Sequence, residues 1–506
     1  MQRVVRPSCL LAWALCLVTT LAQAQDVEAI DTPFADAFVS QSAQIKLGVE
    51  NIKLPTGPSM GMVGVTYLVE AAPGIYLGPA AYGAISGNQG GFFTVGGEVA
   101  WQQALTSKLS FQTGIYAGGG GGGGGSALWG GGLMLRPHAD LLWDFGGGVM
   151  AGVTASYVGF PQGGNVHSSQ LGVTLAFDTA FNTTRPDYIQ HHLSVEGRQG
   201  FGIDRAVATF GAYFPEASTK KNDGSASPSQ MAYAGVRLEQ FLNPNLYWGI
   251  EAAGAASGGV AGYAEFLGTV GAETALFSNT TVGGRVSLGM GGGGGVSVGG
   301  GLLTKVAGYL TYDLTEALHL SLEGGYAVAP DGDFKASFAS GNLVLDLDHP
   351  YRVGGTPRIT ENEFTFGSSH YFNAKMKSGD ARSLDLVTIR LNRYLNDAVY
   401  LTGQAHSAYN GGAGSYSVGL VGLGYRSFPV LPHLIVGAEF LVGAAGGGGV
   451  DSAGGAVLQP MAFVEYKWTQ SLGLKVSAGE MKSWNGGLNT AVLDIAVDFD
   501  YGSISR

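Results

Sequence analysis

Apolar and polar side chains alternate with a period of two along this chain, in segment after segment from residue 41 to residue 501. Between Leu318 and Val328, the residues Leu318, Leu320, Leu322, Tyr326 and Val328 share one parity, and His319, Ser321, Glu323, Gly325 and Ala327 the other. Leu343, Leu345 and Leu347 oppose Val344, Asp346 and Asp348 in the same way. Leu493, Ile495, Val497 and Phe499 likewise oppose Asp494, Ala496, Asp498 and Asp500. Successive residues of a strand point to opposite faces, so each segment reads as a strand between an apolar and a polar medium.

A soluble sandwich and a membrane barrel both produce such dyads, and three features favour the barrel. The segments number about two dozen, and short turns such as Leu242 to Asn245 alternate with longer glycine-rich or polar loops. Aromatic residues, among them Tyr247, Trp248, Tyr312, Tyr394, Tyr466 and Trp468, sit at segment ends as a membrane barrel's girdles do. Only 13% of residues are charged, roughly half the share of soluble domains, which argues against an ordinary cytosolic enzyme. No uninterrupted strongly apolar stretch reaches roughly 18 residues, which argues against helical spans. The one helix candidate is Ala29 to Ser40, within a 25–40 segment expected to be periplasmic or to plug the barrel.

Residues 1–24 read as a cleaved export signal: Arg3 and Arg6, an apolar run from Leu10 to Leu21, then Ala22-Gln23-Ala24. Both cysteines, Cys9 and Cys16, fall inside it, so the mature chain is expected to form no disulfide. Leu15 stands before Cys16 where lipoprotein processing needs a small residue, which weakens a lipid anchor. Removing Arg3 and Arg6 moves the net charge from -11 to -13, so nucleic acid is not an expected partner. On these residues the mature chain resembles, at the level of pattern, the integral outer-membrane β-barrel proteins of Gram-negative bacteria. That resemblance implies a place in the outer membrane, contact with its lipid and lipopolysaccharide, and assembly by the barrel-insertion machinery. Barrels of that kind end on an aromatic residue, whereas here Phe499 and Tyr501 are followed by five further residues, Gly502 to Arg506.

The chain also repeats itself. Gly130 to Arg136 corresponds to Gly299 to Lys305 and to Ala453 to Gln459, at offsets of 169 (299 minus 130) and 154 (453 minus 299) residues. A glycine run precedes each copy, Gly118 to Gly125, Gly291 to Gly295 and Gly446 to Gly449, and an aromatic turn follows it, at Trp143, Tyr312 and Tyr466. Upstream, Val65 to Leu68 matches Val236 to Glu239 and Ile389 to Asn392. Three units are expected, at about 41–182, 189–349 and 364–501, each of about eight strands. The expected fold is therefore all-β, a transmembrane antiparallel barrel of about 24 strands (22 to 26). A single barrel leaves no edge exposed to lipid and is preferred to the rival, tandem eight-stranded barrels.

Polar residues of the inner parity are the lumen-lining candidates: Arg136, Arg237, Glu251, Lys305, His319, Glu323, Arg390, Gln404, Gln459 and Lys475. A charge facing lipid at mid-depth costs about 2–4 kcal/mol, so these must face a polar interior. They either line an open path or satisfy one another and a plug. Turn counting puts the glycine runs on the outer side, with Gly118, Gly121, Gly125, Gly291, Gly295, Gly446 and Gly449 as candidates for a constriction, a close backbone approach or flexible loops. No nucleophile elbow or metal-ligand spacing surrounds His191, His192, Ser369, His370 or His406, and no enzymatic activity, cofactor or metal is expected. The expected function is a gated or obstructed polar conduit that transports or exports a hydrophilic solute or polymer with periplasmic export partners. The alternative is a surface-structural or adhesive protein anchored by a closed barrel.

Overall fold

The computed structural model describes residues 37–122, 126–189, 198–348 and 358–505. The first group of strands is β1 (Phe38–Ile52), β2 (Met60–Ala72), β3 (Ile75–Ser86), β4 (Phe93–Ala104), β5 (Leu109–Gly121), β6 (Met134–Asp144), β7 (Val149–Gly159) and β8 (His167–Thr184). The second is β9 (Arg205–Pro215), β10 (Met231–Asn243), β11 (Leu246–Ala255), β12 (Ala264–Phe277), β13 (Thr280–Gly292), β14 (Leu302–Asp313), β15 (Leu318–Val328) and β16 (Lys335–Asp346). The third is β17 (Arg358–Lys375), β18 (Ala381–Tyr394), β19 (Val399–Asn410), β20 (Ser417–Arg426), β21 (Leu434–Gly446), β22 (Ala456–Lys467), β23 (Leu472–Ser483) and β24 (Asn489–Ser505). One helical turn, α1 (Ser126–Trp129), lies between β5 and β6.

Each group pairs antiparallel in chain order and then closes on itself. β8 returns to β1 from Phe38↔Thr184 to Glu50↔Gly172, β16 to β9 from Ala336↔Pro215 to Asp346↔Arg205, and β24 to β17 from Arg358↔Ser505 to Tyr371↔Val492. The single large barrel preferred from the sequence is therefore corrected: the strands form three tandem eight-stranded barrels. One large barrel would need β8 to pair with β9 and β16 with β17, and neither pairing exists among the described residues. The single residue pair Gly502↔Thr184 links the first and third barrels. Eight strands are enough to close a sheet around a side-chain-filled interior, so no unit needs a neighbour's edge.

The expected helix at Ala29 to Ser40 is also corrected at its end, since β1 begins at Phe38; residues 29–36 and the export signal lie outside the described residues. Alternation separates the faces as physical chemistry demands. Leu320 and Leu322 stand outward at 48% and 74% exposure while His319, Ser321 and Glu323 between and beside them are buried. Tyr312, Tyr466 and Trp468 are exposed at the ends with the short turns, but Tyr247 and Tyr394 are buried inside their barrels, contrary to a girdle role. In β11, the outer parity at this end belongs to Trp248, which sets Tyr247 inward.

The three barrels meet in a ring. β5 lies against β19, β21 against β11, and β13 against β3, so the fifth strand of each unit packs on the third strand of another. This is the heterologous contact of a closed cyclic assembly, made within one chain.

Candidate functional site: the lumens and the seams between barrels

Inside each barrel the inward polar parity is condensed into ion pairs. In the first, Lys46 of β1 spans the lumen to Glu98 of β4 at 3.3 Å and Asp140 of β6 at 2.7 Å. His138 Nε2 lies 3.1 Å from Glu98, and Arg136 pairs with Glu50, which also accepts from the Ser156 hydroxyl at 2.9 Å. In the second, Arg285 joins Glu251 at 2.6 Å to Glu323 at 2.5 Å, and Lys305 joins Glu251 at 2.6 Å to Glu265 at 2.8 Å. Arg237 reaches Glu239 at 2.5 Å and Glu323 at 3.5 Å. In the third, Lys475 lies 3.1 Å from Glu439 and 3.4 Å from Glu363, and Arg390 pairs with Asp494.

All ten lumen-lining candidates are inside, between 0% and 6% exposed. Gln404 donates to Glu439 at 3.0 Å, Gln459 accepts from the Tyr371 hydroxyl at 3.4 Å, and His319 lies between Asp313 and Asp346 near the short-turn end. Sequence reasoning missed most of their acidic partners, among them Glu50, Glu239, Glu265, Glu363 and Glu439. The parity rule that selected the ten applies equally to these five. Removing one member of such a network strands a buried charge, at about 3–5 kcal/mol.

Loop residues join apolar clusters in each barrel. Trp129 of α1 packs on Phe92 at 4.3 Å and Phe160 at 5.0 Å over the first lumen. Phe334 packs on Tyr213 at 5.6 Å and Tyr263 at 6.0 Å in the second, and Met376, Ala413, Tyr416, Val450 and Leu488 cluster in the third. Each barrel thus carries a buried ion network and an apolar cluster.

Of the histidines and serine weighed for chemistry, His191 and His192 lie outside the described residues. Ser369 points inward and donates to Asp494 at 2.6 Å, while His370, next to it in the strand, points outward to Asp385 at 2.7 Å. His406 is buried beside Tyr371 and Gln404. Glu465, Asp498 and Asp500 gather oxygens as a metal site would, but the Lys467 ammonium pairs with all three and supplies the positive charge itself. In the connection before β9, Arg198 pairs with Asp204 at 2.7 Å; burial nevertheless pushes the Asp204 carboxyl up to about 6.

The glycine motifs lie at the seams. Gly132, Gly301 and Gly455 occupy equivalent positions with φ of +99°, +107° and +112°. An added Cβ would collide with the carbonyl oxygens of Ala408, Ala84 and Ala255 respectively, each in a different barrel. Gly414 N–H donates to the Gly130 carbonyl at 3.1 Å and Gly90 N–H to the Gly299 carbonyl at 2.9 Å, so two seams share a cross-barrel hydrogen bond. Gly121 abuts Gly414 and Gly446 abuts Gly262, again across seams. Gly118 and Gly291 lie within β5 and β13, Gly295 and Gly449 in turns, and Gly125 outside the described residues. At Gly121 and Gly446 the backbone of another barrel approaches closely, which only a residue without a side chain permits.

No protein-family model matches the chain, and no curated protein matches it. Among solved structures, the chain is similar to OccK5 (OpdH) of Pseudomonas aeruginosa at 10% identity and a TM-score of 0.22, covering 92% of this chain and 98% of that one. It is similar to the siderophore receptor PirA of Acinetobacter baumannii at 10% identity and 0.26, covering 91% and 80%. The copper transporter OprC follows at 12% identity and 0.28, covering 91% and 80%. At TM-scores below 0.5 these likenesses assign neither architecture nor function.

Proposed function

We propose that this chain is an integral outer-membrane protein whose three closed barrels form a membrane-embedded scaffold. The observation that carries this reading is the inversion of the faces. Leu322 at 74%, Val153 and Phe440 at 58% and Val306 at 53% stand exposed outside, while lysines, arginines and glutamates are buried within. In water such an outer belt forfeits about 25 cal/mol for every Å² left exposed, whereas acyl chains solvate it. On this reading residues 1–24 are the export signal, and lipid, lipopolysaccharide and the barrel-insertion machinery are the partners.

A second reading, an obstructed conduit for a hydrophilic solute or polymer, is favoured by the charged character of the lumens. Transport through any one of them requires its ion network and apolar cluster to part. Planar-bilayer conductance separates the two. A scaffold stays silent with wild-type protein and after truncation of Trp129 to Ala, whereas a conduit opens in at least one of these. Recovery of the chain from cells in a soluble fraction without detergent would overturn both.

A further inference from the structure

A cavity of about 3310 Å³ lies between the barrels. Its walls are the outward faces of all three units, represented by Leu47, Val65, Phe210, Ile250, Leu401 and Leu423. The glycine seams draw the barrels together at the loop end. At the opposite end Phe201 packs against Tyr67, Phe181, Phe364 and Tyr501 of the first and third barrels. The first and second barrels touch along β3 against β13 and β14, and residues of β1, β8, β9 and β16 line the cavity.

A space several times larger than a ligand pocket of about 300–1,000 Å³ does not stay empty in a bilayer. Water is a poor occupant of most of it, because it needs two to four polar partners and these walls are predominantly apolar. Of the charged residues bordering the cavity, Arg198 and Arg393 are paired with Asp204 and Asp348, while Lys220, Lys221, Asp331 and Asp333 in the loops add charge of both signs at its edge. What the cavity can recognise is alkyl surface.

We propose that this inter-barrel cavity is a lipid-binding chamber that takes the acyl chains of a membrane phospholipid. The proposal rests on the membrane reading above. Two glycines of the third barrel, Gly403 and Gly419, face the chamber, and a Cβ at either would meet nothing within 4 Å. Larger side chains there occupy chamber volume without disturbing a lumen. Gly324, on the outer face of β15 and away from the chamber, is the matched control.

The test is the phospholipid content of the full chain, extracted from outer membranes, purified through detergent exchange and measured by mass spectrometry of the retained lipid. Wild type and Gly324→Trp are expected to retain phospholipid, and the Gly403→Trp, Gly419→Trp double variant to lose about tenfold of it at an unchanged unfolding temperature. Equal retention by the double variant and the control would mark the lipid as merely peripheral and overturn the chamber, as would a folded wild type that retains none. Should the double variant fail to fold, Gly403→Leu and Gly419→Leu singly carry the same comparison. A chain that needs no detergent sinks the membrane reading itself; a detergent-requiring, folded chain without retained lipid sinks the chamber alone.

Discussion

The lumens and the seams solve opposite packing problems with the same strands. Within a lumen, space is filled by long charged side chains that satisfy one another, as Lys305 does between Glu251 and Glu265. At a seam, space is removed: Gly301 lets one barrel's backbone come against the carbonyl of Ala84 in another. The first arrangement is strong but intolerant of losing a partner. The second is intolerant of gaining an atom. A substitution therefore reports which regime it entered by whether deletion or addition does the damage.

Lys305→Met should be the most damaging change, leaving Glu251 and Glu265 without their shared cation at a cost of about 3–5 kcal/mol. Denaturant unfolding of the protein in detergent, followed by hydrogen exchange in β11, β12 and β14, should show the loss confined to the second barrel. Equal loss in all three barrels would mean that they do not fold as separate units. Next, Leu322→Arg on the outer belt should cost about 2–4 kcal/mol in a bilayer and far less in a water-exposed setting. Comparing unfolding in liposomes with unfolding in short-chain detergent checks this, and no difference between the two would remove the lipid-facing assignment.

Gly301→Ala should cost about 1–3 kcal/mol through its positive φ and the clash with Ala84. The effect should appear as easier separation of the first and second barrels, read by cross-linking between β3 and β13, with both barrels still closed. Loss of pairing within the second barrel instead would move Gly301 from the seam to the lumen wall. Gly324→Ala, whose Cβ would meet only the Phe338 carbonyl oxygen at 3.8 Å, should change stability by no more than about 0.5 kcal/mol.

How much of this could be read from residue order follows from range. Parity is a local property, and it placed Arg136, Lys305, Lys475 and the other candidates on the inner face. It also contained the acidic partners, but not which charge meets which, because Lys46 and Asp140 are joined only by closure across the lumen. Tyr247 and Tyr394 were misjudged because residue type at a strand end suggested a girdle, while parity, which decides the face, was set by Trp248 and by Arg393. The repeated glycine motifs were visible, but their contact partners Ala408, Ala84 and Ala255 lie in other units.

The period of two and the triplicate motif came from sequence alone: strands, their wet and greasy faces, and units of eight. Closure by eights, the ring of seams and the chamber it encloses were decided only in three dimensions. Pairing of β7 with β8 is the same in a wide barrel as in a narrow one, and only the next partner of β8 differs. That choice depends on matching two strands more than a hundred residues apart, a contact that no local pattern encodes.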